Sequence, residues 1–152
     1  MWNKKKKRRR KEAEEPPQVI PSSEEDVRRA VNRCADELDS RLSLRTIILS
    51  DNQIDTDYLI PHLGGIPDKP WYMSKETFDI FDNEEEAKWV DRVQIACDQY
   101  FLEKGELPCM GTAQAYRISY FMLKDYLLGD PPVELYIDPK DRMVTHRRPA
   151  ET

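Results

Sequence analysis

Two histidines and three cysteines are all that this 152-residue chain offers as neutral-pH bases, soft metal ligands or thiol nucleophiles. Nothing in the spacing brings His62 and His146 together. Each reads as an ordinary surface or half-buried imidazole, and a metal site would need both to converge with carboxylates. Cys34, Cys97 and Cys109 are odd in number and lack a short paired spacing, so neither a disulfide framework nor a zinc knuckle is indicated, and no Cys–His pairing is selected. A reducing cytoplasm is the expected setting. No apolar run approaches the roughly 20 residues that span a bilayer. The cationic start runs into Glu12-Ala13-Glu14-Glu15-Pro16-Pro17 instead of the apolar stretch of a signal peptide. Gly64-Gly65 has no Lys-Ser/Thr after it and no GxGxxG pattern before it, and there is no GxSxG elbow. The acidic stretch Asp51 to Asp57 lacks the sixth-position Gly and twelfth-position Glu of a calcium loop, so it reads as turn and helix-cap chemistry. No catalytic, cofactor or metal residue is therefore assigned.

What the chain does have is charge, unevenly placed. Lys4, Lys5, Lys6, Lys7, Arg8, Arg9, Arg10 and Lys11 are consecutive. The whole chain carries 24 Lys plus Arg against 29 Asp plus Glu, and setting these eight aside leaves 16 against 29, a body at −13. The pattern predicts an anion-binding arm on an acidic domain. Near an anionic leaflet such a cluster gains about 1 kcal/mol per cation, and Trp2 adds an aromatic suited to the membrane interface. Met1 is not followed by a Gly that would accept a myristoyl chain. The same cations would contact nucleic-acid phosphates, but a body at −13 lacks the basic stripe of a nucleic-acid domain. A blander reading lets the arm fold back on its own acidic body or simply aid solubility. The acidic body could also receive a protein partner, and Trp71, Tyr72 and Trp89 are the aromatics that would mark such a face if they are not core.

Residues 1–21 carry almost nothing apolar and read as a disordered arm. Ser22-Ser23-Glu24-Glu25-Asp26 begins a helix by capping-box logic, with Val27, Ala30, Val31, Cys34, Ala35 and Leu38 as one buried stripe. Leu44 to Leu49 reads as a buried β-branched strand. A short helix follows from Asp55 to about Leu63, stopped by Gly64-Gly65. Trp71-Tyr72-Met73 suggests a brief strand, and Ser74 the cap of a short helix holding Phe78 and Phe81. The longest helix is expected from about Asn83 to Gly105, with Val90, Val93, Cys97, Tyr100 and Phe101 buried. Ser119 to Leu128 reads as a last helix, and residues 133–137 and 142–146 as a terminal β-hairpin turned at Asp138-Pro139-Lys140-Asp141. A final helix and hairpin resemble the close of a winged-helix domain, with His146-Arg147-Arg148 after the wing, but the acidic helices offer no recognition face.

The phrases Leu63-Gly64-Gly65-Ile66-Pro67, Tyr72-Met73-Ser74-Lys75-Glu76-Thr77, Gly105-Glu106-Leu107-Pro108 and Val144-Thr145-His146-Arg147 resemble a small uncharacterised family of Bacillus-type bacteria. The resemblance covers most of residues 22–149. It implies a cytosolic bacterial protein, brings no catalytic or binding residue, and weighs against reading the basic block as a nuclear signal. The expected architecture is a single α+β domain, residues 22–149, with about three main helices on a small, mostly antiparallel sheet closed by a C-terminal hairpin. The leading functional expectation is a non-enzymatic accessory protein, cytoplasmic or peripheral at the inner membrane face. Nucleic-acid association is the alternative, and a small hydrolase or transferase near His62 a distant third.

Overall fold

Ser23 sets the first helix. Its hydroxyl accepts from the Asp26 N–H at 3.2 Å, and Glu24, Glu25 and Asp26 place carboxylates at the positive end of the dipole of α1, Glu24–Glu37. In this computed structural model, which describes residues 16–109 and 116–148, Val27, Ala30, Val31 and Cys34 form the buried side of that helix. Helix α2, Thr56–Leu63, starts on Asp55, whose carboxylate accepts from the Asp57 N–H at 3.0 Å, and stops on Gly64 at φ +82°. Helix α3, Glu84–Lys104, is capped by Asn83 and ends on Gly105 at φ +71°. In both cases the glycine supplies the left-handed residue that other side chains disfavour.

Gly65 has a different role from Gly64. A Cβ there would lie 2.6 Å from the Gln18 carbonyl oxygen and 2.9 Å from the Ile20 side chain. That close approach lets β1 (Val19–Ile20) run parallel to β2 (Ile66–Pro67), with the Ile66 N–H donating to the Gln18 oxygen at 2.8 Å. The boundary expected at Ser22 is therefore corrected. Val19 and Ile20 pair with the body and are not part of a free arm. Just beyond them the Ser22 hydroxyl donates to Asp68 Oδ1 at 2.7 Å and accepts from Trp71 Nε1 at 2.9 Å.

Three other elements differ from expectation. Leu44–Ile47 is a 3-10 turn and not a strand: the Ser43 hydroxyl accepts from the Arg45 N–H at 3.1 Å, a local bond that outcompetes β propensity. All that remains of strand pairing is one bridge between Ile48 and Ile54. After β3, Tyr72–Met73, the Ser74 hydroxyl does accept from the Thr77 N–H at 2.9 Å. The helix expected there stops after one turn because Phe78 takes φ +60°, and the chain returns as β4, Ile80–Phe81, antiparallel to β3. Ser119 to Leu128 forms successive turns instead of a helix. Its path is fixed from outside by the Ile118 N–H on the Leu135 oxygen at 2.9 Å and the Tyr120 hydroxyl on the Val133 oxygen at 2.7 Å. Without that helix the winged-helix analogy fails.

The terminal hairpin is present, with β5 (Tyr136–Ile137) and β6 (Val144–Thr145) in register as Tyr136↔Thr145 and Ile137↔Val144. Three helices and three two-stranded ladders, two of them antiparallel, make the α+β architecture among the described residues. Two cores result. One gathers α1, Ile47, Ile54, Leu59, Trp71, Met73 and Ile80; the other builds on α3 with Phe81, Leu123, Leu135, Ile137 and Val144. Trp71 is buried in the first, and Tyr72 and Trp89 pack against the second. Helix α3 touches β3, β4 and β6, and so forms the seam between them.

Candidate functional site

Trp2 and the cations Lys4 to Lys11 lie outside the described residues, so the candidate chemistry of the body must be sought elsewhere. The two histidines do not meet. His62 Nε2 lies 3.1 Å from Glu37 Oε2, at the C-terminal end of α1. His146 packs its ring on Phe81, 4.9 Å between centroids, and its neighbour Arg147 donates to Glu24 Oε1 at 2.8 Å, at the N-terminal end of the same helix. Glu24 and Glu37 are separated by about 20 Å at 1.5 Å per residue. The carboxylates of Asp51 and Asp55 accept from the N–H groups of Gln53 and Asp57, which is turn and cap chemistry. Burial pushes all three thiols up, Cys97 to about 12. Each is thus held as a neutral thiol at physiological pH, unsuited to nucleophilic attack.

Asp79, between β3 and β4, stands within electrostatic reach of His146 and Arg147. Burial pushes its carboxyl above the ordinary aspartate value of 3.8, against the opposing pull of His146, Arg147 and Arg28. A carboxyl raised by folding binds its proton more tightly in the folded chain than in the unfolded one. Its contribution to stability is therefore present at low pH and declines as pH rises from 3.8 through the higher folded value. Asp79→Asn is expected to raise the melting temperature at pH 7 and leave it unchanged near the acid end of that window. Thermal unfolding of both chains across pH checks this, and parallel curves would refute it.

Two polar side chains on α3 tie the halves together. Asp91 accepts from three donors: Asn52 Nδ2 at 2.7 Å, the Ser74 hydroxyl at 2.5 Å and the Glu76 N–H at 3.2 Å. Asn52 is buried at φ +70° and also donates to the Met73 oxygen at 3.1 Å. One turn further along, Gln94 accepts from the Val144 N–H at 2.6 Å and donates to the Arg142 oxygen and to Asp98 Oδ1, both at 3.0 Å. Among the described residues no buried side-chain nitrogen or oxygen lacks a partner. These are satisfied networks of the kind that fix one arrangement.

Beside Gln94, between α3 and the hairpin, lies a cavity of about 280 Å³. Cys97, Phe101, Leu107, Ile137 and Met143 give it an apolar floor. Glu76, Asp98, Asp141 and Arg142 also line it. The Arg142 guanidinium stacks 4.2 Å from the Phe101 ring centroid, and its backbone sits at φ +60°, an uncommon conformation for a residue with a long side chain. Sequence reasoning missed this site because the hairpin register, not local spacing, brings residues 141–143 beside residues 94–101.

Residues 18–146 match the model of a family described as "Protein of unknown function (DUF3939)". No curated protein and no solved structure matches the chain.

Proposed function

Because the chain belongs to the DUF3939 family, a family of unknown function, we propose a function from its charge and surface: a non-enzymatic accessory protein held at the cytoplasmic face of the membrane by the arm Lys4 to Lys11. The observation that carries this reading is eight consecutive cations on a chain that is otherwise at −13. At about 1 kcal/mol per cation near an anionic leaflet, such an arm suffices for reversible attachment. The acidic body would be repelled from the same surface over most of its face, which leaves only a limited patch to meet it. Among the described residues no helix is long and apolar enough to cross a membrane, so attachment through this body is peripheral.

The surface of the body adds support. In the turns of residues 119–128, Phe121 and Leu128 are 75% and 93% exposed. Lys124 Nζ lies 4.5 Å from the Phe121 ring. Together with Asp125 these are the residues of the turns that are exposed to solvent. Two large apolar side chains beside a lysine suit contact with a lipid interface.

The test is co-sedimentation with anionic and zwitterionic liposomes, with RNA as competitor. The full chain is expected to pellet only with anionic liposomes and to stay there when RNA is added. Changing all eight arm cations to Gln is expected to weaken binding by at least about 100-fold, and Phe121→Ser with Leu128→Ser to weaken it several-fold. A full chain that fails to pellet overturns the membrane reading, and one that RNA strips off transfers the arm to nucleic acid.

A further inference from the structure

The cavity between α3 and the hairpin is lined by residues of the body alone. Its volume of about 280 Å³ falls just below the range of ligand pockets, roughly 300–1,000 Å³, which suits a very small molecule or a single side chain and not a nucleotide. The floor is apolar, but three carboxylates share the lining with one guanidinium.

Each of the three carboxylates keeps one oxygen unpaired among the described residues. Asp98 accepts from Gln94 through Oδ1 alone, Asp141 accepts from the Met143 N–H through Oδ1 alone, and Glu76 pairs with Arg45 through Oε2 alone. Arg142 and Arg45 offset this charge only in part: Arg45 pairs with Glu76 at 3.0 Å, and the Arg142 guanidinium, stacked on the Phe101 ring, forms no ion pair with Asp98 or Asp141 among the described residues. The site thus presents net negative charge above an apolar surface. A compact metal ion does not meet that description, because no three His, Cys, Asp or Glu side chains among the described residues come together to share one. An extended organic cation does.

We infer that this cavity binds an alkylammonium or alkylguanidinium group, its aliphatic stem on Phe101, Leu107 and Met143 and its cationic head beside Asp98 and Asp141, the two lining carboxylates that no cation pairs with among the described residues. The hairpin side is held in place beforehand, since Gln94 grips the backbone on both sides of Met143. A fixed wall lowers the ordering cost of binding. The same chemistry has two sources: a free amine, or a Lys or Arg side chain, of which the arm of this chain carries eight in a row.

Pentylamine, 4-aminobutylguanidine and, as the neutral control, 1-pentanol are titrated into the full chain, with amide shifts of residues 94–101 and 141–144 as the readout. The two cations are expected to shift these amides saturably and to bind at least about tenfold more tightly than the alcohol. Asp98→Asn with Asp141→Asn retains the oxygens that accept from Gln94 and Met143, so its melting temperature should stay close to that of the parent chain while affinity for the amines falls at least about tenfold. A full chain with the arm cations changed to Gln separates the sources. Tighter amine binding in that chain assigns the natural occupant to the arm, and unchanged binding assigns it to a free amine. Equal binding of alcohol and amine, or amine affinity unaltered by the double substitution, overturns the proposal.

Discussion

Asp91→Ala is expected to lower the free energy of unfolding by about 3–5 kcal/mol, and to split a single transition into two. The substitution removes an acceptor shared by three donors: the Ser74 hydroxyl loses its partner, Asn52 Nδ2 keeps only the Met73 oxygen, and the Glu76 N–H keeps only the Ser74 hydroxyl oxygen. Ser74 is fully buried and Asn52 nearly so, so water cannot replace the lost partner without opening the seam. Hydrogen bonds to a charged group contribute roughly 1.5–3 kcal/mol each, and their loss is only partly additive. Asn at position 91 rescues poorly because every group facing it is a donor, and one of its two polar atoms would be a donor as well. The loss with Asp91→Asn is expected to be about half that with Asp91→Ala.

The splitting follows from the placement of Asp91. It stands on α3, whereas Asn52, Ser74 and Glu76 belong to the half that carries the other core. Trp71 reports on the first core and Trp89 on the second, so denaturation of chains carrying Trp2→Phe with either Trp71→Phe or Trp89→Phe reads each separately. With Asp91 intact the two midpoints should coincide; with Ala they should part. A loss below about 1 kcal/mol would mean the seam is held by apolar packing alone, since a net hydrogen bond contributes about that much.

Gln94→Ala should cost about 2–4 kcal/mol through a different route. The Val144 N–H is buried and has Gln94 Oε1 as its acceptor at 2.6 Å, and the Arg142 oxygen takes the amide of the same side chain. Truncation leaves a buried donor unmatched and opens a void beneath the hairpin. Gln94→Glu keeps the acceptor for Val144 but sets a carboxylate oxygen against the Arg142 carbonyl and near Asp98, so it should rescue less than half of the loss. Hydrogen exchange at Ile137 and Val144 is the local readout. If those amides remain as protected in the Ala chain as in the parent, Gln94 is not what fastens the hairpin.

Much of this framework was legible because it is local. Ser23, Asp55 and Asn83 each bond an N–H two or three residues on, and Gly64 and Gly105 each take the left-handed turn their neighbours avoid, so five helix ends could be read from a few letters. The elements that misled are mostly those decided at a distance. Residues 119–128 take their shape from Leu135 and Val133, and the pairing of Val19 with Ile66 has no local sign at all, whereas Leu44–Ile47 misled for a local reason, the Ser43 hydroxyl's bond to the Arg45 N–H outweighing β propensity. The polar hubs did leave a trace. Asp91 and Gln94 follow Ala87 at i+4 and i+7 within the buried stripe of α3, and a polar residue at such a position advertises a partner across the core. The cavity left none, because its walls come from elements that only the folded register brings together.

The β1–β2 ladder and the Ser22 knot also say how the body would carry a load. Any pull applied upstream of Pro16 reaches α1 through components in series: first two paired residues, Val19 and Ile20, then the bonds from Ser22 to Asp68 and Trp71, and only then the Ser23 cap. The weakest component comes first. A tethered body of this build yields by peeling a two-residue strand, lengthening its own leash by a few residues before any force arrives at the helices.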